Sequence, residues 1–164
     1  MGIVLRRLVL GFVLATFFIG ALIGPIVASA KEPSTGCALL PVSELQKVLG
    51  GSFGAPASSV ATPAFAGLPP GTHCEYTGAS GGGEVVFIVY VDPSAATAKD
   101  TFQKLVPYYS VTSSPPHLGD TAYIDRNNAI HVLQGKVRFY ISVTPSPSGS
   151  KPLVDLATFV SKQL

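Results

Sequence analysis

The sequence predicts an α+β domain: a mainly antiparallel sheet with helices packed on it. Three observations lead there. Short β-branched and aromatic runs are joined by Gly- and Asn-containing turns, so hairpins dominate. Three amphipathic stretches of helical period flank those runs. The chain also opens on an apolar segment that belongs to no domain, an N-terminal signal or anchor helix.

The opening segment comes first. Arg6 and Arg7 make a short basic start, and an uncharged apolar run follows from Leu8 to Val27. It closes on Ala28-Ser29-Ala30, a small-x-small pattern suited to signal peptidase, with Lys31 as the first mature residue. Pro25 breaks the helix just before that site. The run also approaches the roughly 20 residues that span a bilayer, so an uncleaved anchor is the second reading. In either case the preceding basic residues leave the chain from Lys31 onward outside the cytoplasm.

Residues 31–164 then form a single domain, long enough for its own core. Removing Arg6 and Arg7 from the 11 basic residues leaves nine, against nine acidic ones. A neutral domain without a basic cluster has no electrostatic footprint for nucleic acid. No cofactor motif is present: the glycines of 78–83 lack the Lys and Ser/Thr of a phosphate loop and join two strands.

The elements read in order as follows. Leu39 to Leu49 is a short helix with Leu45, Val48 and Leu49 on one face, Ser43 and Gln46 at capping-box spacing, and Gly50 as the stop. Residues 51–71 are a flexible Gly/Ala/Ser/Pro-rich loop with a short strand near Val60. Thr72–Thr77 and Glu84–Val91 are a hairpin, the second strand apolar enough to be covered on both faces. Asp92 caps the next helix, Pro93 takes its first position, and Ala95, Ala98, Phe102, Leu105 and Val106 trace its buried face until Pro107. Tyr108 to Gly119 is irregular. Thr121–Asp125 returns through an Asn127-Asn128 turn onto Ala129–Leu133, and Gln134-Gly135 turns the chain into Lys136–Thr144. In that last strand Val137, Phe139, Ile141 and Val143 face the core; Arg138, Tyr140, Ser142 and Thr144 face out or toward another layer. After a linker, 145–152, Leu153, Leu156, Ala157, Val160 and Leu164 give a closing helix.

Cys37 and Cys74 are the two cysteines. In an exported chain an even count reads first as a disulfide. There is no C-x-x-C, and His73 next to Cys74 points to the opposite face of its strand, so no metal site is expected. Lipidation of Cys37 is the third reading, but Lys31 and Glu32 separate it from the apolar run.

Candidates for chemistry are few. His117 and Asp120 lie on one loop and, with Ser113 or Ser114, sketch a hydrolase triad, though no Gly-x-Ser-x-Gly elbow accompanies them. The competing reading is turn chemistry around Gly119. His131 reads as a half-buried or surface strand histidine. Glu75 and Glu84 face each other across the first hairpin as a surface contact rather than a glycosidase pair. Tyr108, Tyr109, Tyr123 and Tyr140 either cover the sheet or form a contact surface, for which Tyr108, Tyr109 and His117 are the candidates.

Three blocks carry a resemblance. Cys37-Ala38-Leu39-Leu40 with Glu44-Leu45 and Leu49-Gly50, then His73-Cys74-Glu75-Tyr76, then Leu118-Gly119-Asp120-Thr121-Ala122-Tyr123 resemble the corresponding blocks of small uncharacterised exported proteins and lipoproteins of bacteria. That resemblance implies a PsbP-like α+β sandwich, a Cys–Cys bond, and no established activity or catalytic residue. The leading expectation is therefore an exported, non-catalytic binding or accessory domain at the cell envelope. Its partner would be an envelope protein or a small apolar ligand. A hydrolase built on His117 and Asp120 is the alternative, and a ligand-free assembly factor the third. A concave pocket with converging polar groups favours the first.

Overall fold

The computed structural model describes residues 36–81 and 83–164. The expected cleavage site at Ala28, Ala30 and Lys31, with its signal or anchor helix, lies outside the described residues. Seven strands form one sheet: β1 Ala57–Ala61, β2 Gly71–Thr77, β3 Glu84–Val91, β4 Val111–Ser113, β5 Thr121–Asp125, β6 Ile130–Gln134 and β7 Val137–Thr144. Their order is β1-β2-β3-β7-β6-β5-β4, and every neighbouring pair is antiparallel. Three α-helices accompany them: α1 Val42–Leu49, α2 Ala95–Leu105 and α3 Lys151–Ser161. The fold class is α+β, as the hairpin-rich pattern predicts.

Strand alternation divides the packing into two unequal faces. Cys74 and Tyr76 of β2, Val85 and Phe87 of β3, Phe139 and Ile141 of β7, and Ile130 and Val132 of β6 share the main core. Leu40, Leu45, Leu153, Leu156 and Val160 close over it, so the N-terminal segment, α1 and α3 cover this face. The opposite face has a smaller core of Ala98, Phe102, Tyr123 and Leu133, made where α2 crosses one end of the sheet. Ladder hydrogen bonds satisfy the backbone, and apolar burial on the α1/α3 face supplies most of the driving force.

The resembling blocks have structural work. Cys37 and Cys74 are bonded, with Cα atoms 5.6 Å apart, which ties the N-terminal segment to β2. Two residues on, the buried Tyr76 hydroxyl donates to the Leu40 carbonyl at 2.6 Å. The Cys-x-Tyr pattern thus places two same-face side chains under one incoming segment. In the Leu118-Gly119-Asp120 block, Gly119 has φ +57°, and a Cβ there would meet the Leu133 carbonyl oxygen at 2.5 Å. The Asp120 amide donates to that same carbonyl, and the Asp120 carboxylate accepts from the Gly135 amide at 2.7 Å. This clips the start of β5 to the β6–β7 turn.

Several expectations are corrected. The first helix is interrupted: a 3-10 turn at Gly36–Leu39 precedes α1, with Pro41 between them, and no Ser43 capping box forms. The short strand expected near Val60 is present as β1, paired along β2, and the Tyr90 hydroxyl holds the Thr62 carbonyl at 3.0 Å. Asp92 does not cap α2. Ser94 does, accepting from the Thr97 amide at 3.0 Å, because Asp92 is drawn into a buried ion pair instead. The helix continues past Leu105 into a 3-10 turn, Val106–Tyr108, which tolerates Pro107 near its start. The irregular stretch contains a short edge strand, β4. Glu75 and Glu84 are not opposed: Glu75 pairs with Val86, and Glu84 with Thr77. Finally, β3 is fully covered on one face only; Val86, Ile88 and Tyr90 are half-buried on the other.

The Cys37–Cys74 link closes a long loop, so in the chain-entropy description it stabilises by about 4 kcal/mol. Cys74→Ala is expected to lower the free energy of urea unfolding by about 2–5 kcal/mol. Wild type in a reducing buffer should match the variant. An unchanged denaturation midpoint in both would contradict this account.

Candidate functional site

The half-covered face of the sheet carries a cleft of about 320 Å³. Its floor follows from strand register. Ile88 of β3 lies opposite Tyr140 of β7, Tyr140 opposite His131 of β6, and His131 opposite Tyr123 of β5. Directly opposed side chains on one face stand within contact distance. The rings therefore form a row: His131 stacks on Tyr123 at 4.6 Å between centroids and meets Tyr140 at 4.9 Å. Tyr109, which follows the 3-10 turn after α2, leans onto His131 at 4.4 Å. Phe102 and Leu105 of α2 complete an apolar wall, and Val86 extends the floor.

His131 is buried, deeper than the half-buried or surface placement expected from sequence. Its Nε2 lies 3.1 Å from Asp125 Oδ2. The other Asp125 oxygen accepts from the Asn127 and Ala129 amides at 2.8 and 3.0 Å, within the β5–β6 turn. One carboxylate thus closes the turn and orients the imidazole. With Asp125 as acceptor, Nε2 carries the proton and Nδ1 keeps its lone pair. Burial pulls the imidazole below its ordinary range, against the opposing influence of Asp125. Burial likewise raises Tyr109 and Tyr123, with neighbouring tyrosines and Asp125 adding to it. Both remain neutral phenols.

Arg138 lies beside this row. Its Nε and Nη2 donate to the two Asp92 oxygens, the second at 3.1 Å, and both side chains are essentially excluded from solvent. The guanidinium also sits 4.8 Å from the centre of the Tyr90 ring. Its positive charge is matched within the fold. The charged groups bordering the cleft are hydrogen-bonded within the fold, leaving aromatic faces, tyrosine hydroxyls and the exposed Asn127 amide as the available surface.

The sequence candidates are distributed differently. Tyr109 enters the cleft, whereas Tyr108 is 77% exposed and points away from it. His117 and Asp120 line a separate shallow hollow with Gln134 and Ser161. They are not joined as a dyad, since the Asp120 carboxylate is engaged by Gly135. His73 bonds Ser59 at 3.1 Å on the face opposite to Cys74's, as strand alternation requires. Among the described residues no group of three or more His, Cys, Asp or Glu side chains could hold a metal ion. Sequence reasoning missed Asp92, Asp125 and the role of His131; the signal for the last was its place between Tyr123 and Tyr140 in consecutive strands.

Two expected outcomes follow from these pairs. Asp92→Asn leaves a guanidinium buried beside an uncharged amide, and is expected to cost about 3–5 kcal/mol of unfolding free energy. A double change of Asp92 and Arg138 to apolar residues should recover much of that loss. If the single variant costs as little as a surface pair, under about 1 kcal/mol, the pair is not the buried constraint described. For His131 the depressed value means that the unfolded chain binds the proton more readily. Its stabilising contribution is complete above the ordinary imidazole pKa of about 6.5 and is lost as pH falls through the folded value. Tm by circular dichroism should therefore drop between about pH 7.5 and pH 5, and drop less in His131→Asn. Identical slopes would remove His131 as the titrating group.

No family model matches this chain, and no curated protein matches it. Among solved structures it is similar to the crystal structure of the extracellular domain of PknH from Mycobacterium tuberculosis, with a TM-score of 0.50 and 15% identity. The match covers 77% of this chain and 92% of that one. At this identity the likeness is one of fold.

Proposed function

We propose that this chain is an exported, non-catalytic binding domain that takes a small molecule in the cleft between the sheet and α2. The observation that carries the reading is the cross-strand row Ile88–Tyr140–His131–Tyr123. It presents apolar and aromatic surface on rigid strands, bordered by hydroxyls, in a concavity at the lower end of the usual ligand-site range. A sheet face meant only for packing would be covered across its central strands, as the α1/α3 face is.

The location is part of the proposal. The basic, apolar and small-x-small sequence of residues 1–30 reads as an export signal or anchor. The bond between Cys37 and Cys74 suits an oxidising compartment outside the cytoplasm. That a similar fold serves as an extracellular domain in PknH agrees with this. The resemblance of the three sequence blocks to small exported bacterial proteins of PsbP-like fold supports the same reading. His117 and Asp120 enter as loop residues rather than as a catalytic pair.

A fragment library screened by methyl NMR tests the proposal. Hits are expected to shift Val86, Ile88 and Leu105 while leaving Leu153 and Val160 of the opposite core unmoved. Ile88→Trp, which fills the cleft floor, is expected to abolish those shifts without lowering Tm by more than about 5 °C, the equivalent of about 1 kcal/mol. A library with no hits at these three methyls, or with hits confined to the other face, would overturn the binding reading.

A further inference from the structure

Resting on that binding reading, we infer that the cleft selects an uncharged, single-ring aromatic molecule bearing a hydroxyl group. Three exclusions and one positive match lead to this class.

Charge excludes ionised ligands. Arg138 is neutralised by Asp92, and Asp125 is engaged by three donors, two turn amides and His131. A carboxylate entering the cleft would lose its hydration and find no unmatched positive charge, and an ammonium would find only Asp125, whose oxygens already hold three hydrogen bonds within the fold. Hydrogen-bonding capacity excludes polyols. A sugar needs several planar acceptors and donors, and here the lining carboxylate, Asp125, and the lining guanidinium, Arg138, are already engaged within the fold, which leaves the Asn127 amide as the one planar group at the edge. Size excludes large molecules. The cleft, open to solvent on one side, has a volume of about 320 Å³, at the lower end of the ligand-site range, so a substituted ring can be buried in it and a much larger molecule cannot.

The positive match is geometric. Tyr109, Tyr123, Tyr140 and His131 already pack with centroids 4.4–6.2 Å apart at tilts of 19–58°. An added ring can continue that stacked and tilted arrangement. The hydroxyl has a complementary partner: His131 Nδ1 accepts its proton, since Nε2–H is committed to Asp125, while a tyrosine hydroxyl donates to its oxygen. An aromatic ring without the hydroxyl would leave that imidazole nitrogen desolvated and unpaired.

Four probes separate the possibilities: phenol, benzoate, benzylamine and methyl glucoside, titrated at neutral pH against the protein with Ile88 and Leu105 methyls as reporters. Phenol is expected to saturate these shifts with at least tenfold tighter binding than the other three. His131→Phe, which keeps a ring but removes the acceptor, should weaken phenol about tenfold and leave unaffected the weaker binding of toluene, added as a control without the hydroxyl. Because that variant also takes a donor from Asp125, Tyr109→Phe is the second test, with an expected loss of about threefold. Equal or tighter cleft binding by a charged probe or the glucoside overturns the ligand class while the binding reading stands. So does phenol affinity unchanged in both variants, or fragment hits in the cleft with no phenol among them. A fragment library silent at the cleft overturns the binding reading itself.

Discussion

The Asp125 carboxylate is the constraint on which the rest of the cleft depends. One oxygen accepts from the Asn127 and Ala129 amides, the other faces His131. The first two contacts hold Asn128 at φ +57°, a conformation that Asn accepts more readily than most residues. They centre the turn on Asn127, so that Tyr123 falls opposite His131 and Ile124 opposite Ile130. A turn one residue different would move every β6 side chain to the other face. His131 would then enter the main core, and Val132 would meet the tyrosines. The same carboxylate therefore fixes the register, the face and the tautomer of the histidine.

Around that constraint the fold separates two tasks. The α1/α3 face holds stability: the Cys37–Cys74 bond, the Tyr76 hydroxyl on the Leu40 carbonyl, and a continuous apolar core all lie there. The α2 face holds a half-open surface whose polar groups are settled in advance. Arg138 and Asp92 link β7 to the segment between β3 and α2, so the helix that walls the cleft is tied to the strand that floors it. Removing either partner would leave a buried charge, which makes this pair a constraint on geometry more than a source of net stability. Separate cores of this kind let the cleft tolerate substitutions that the opposite face would not.

The α+β class, the antiparallel sheet, the disulfide and the alternation of β7 were legible in the sequence because each follows from local pattern or compartment. Of the site, the tyrosines Tyr109, Tyr123 and Tyr140 were legible but their assembly around His131 was not, and the reason is register. Reading Asn127-Asn128 as a two-residue turn sets Tyr123 against Val132, and reading Gln134-Gly135 likewise sets His131 against Arg138. In the fold, Gln134 pairs with Val137, so the two turn residues are Gly135 and Lys136, and His131 meets Tyr140 instead. Shifts this small are decided by the Asp125 and Asp120 carboxylates binding turn amides, which residue type alone does not announce. Asp92-Pro93 misled in the same way. It has the form of a helix start, but Arg138 lies 46 residues away in sequence, and a buried ion pair outweighs a cap. Tyr109 was found and Tyr108 with it, since adjacency cannot say which of the two turns inward.

The motifs that stand out by resemblance and the residues that line the cleft are almost disjoint. Cys74, Tyr76, Gly119 and Asp120 bind chain to chain, whereas His131, Tyr140 and Arg138 lie outside all three blocks; Tyr123 alone belongs to both sets. This division has a physical basis. A clip such as Gly119–Asp120 on Leu133 and Gly135 depends on backbone conformation and admits few alternatives. A cleft wall depends on side-chain size and polarity at positions whose strand geometry is already secured. Changing Tyr140 or Ile88 alters what the cleft accepts and leaves the ladder intact, while changing Gly119 alters the ladder itself. A chain built this way can keep its scaffold while its binding surface varies, so the ligand must be argued from the cleft and not from the blocks.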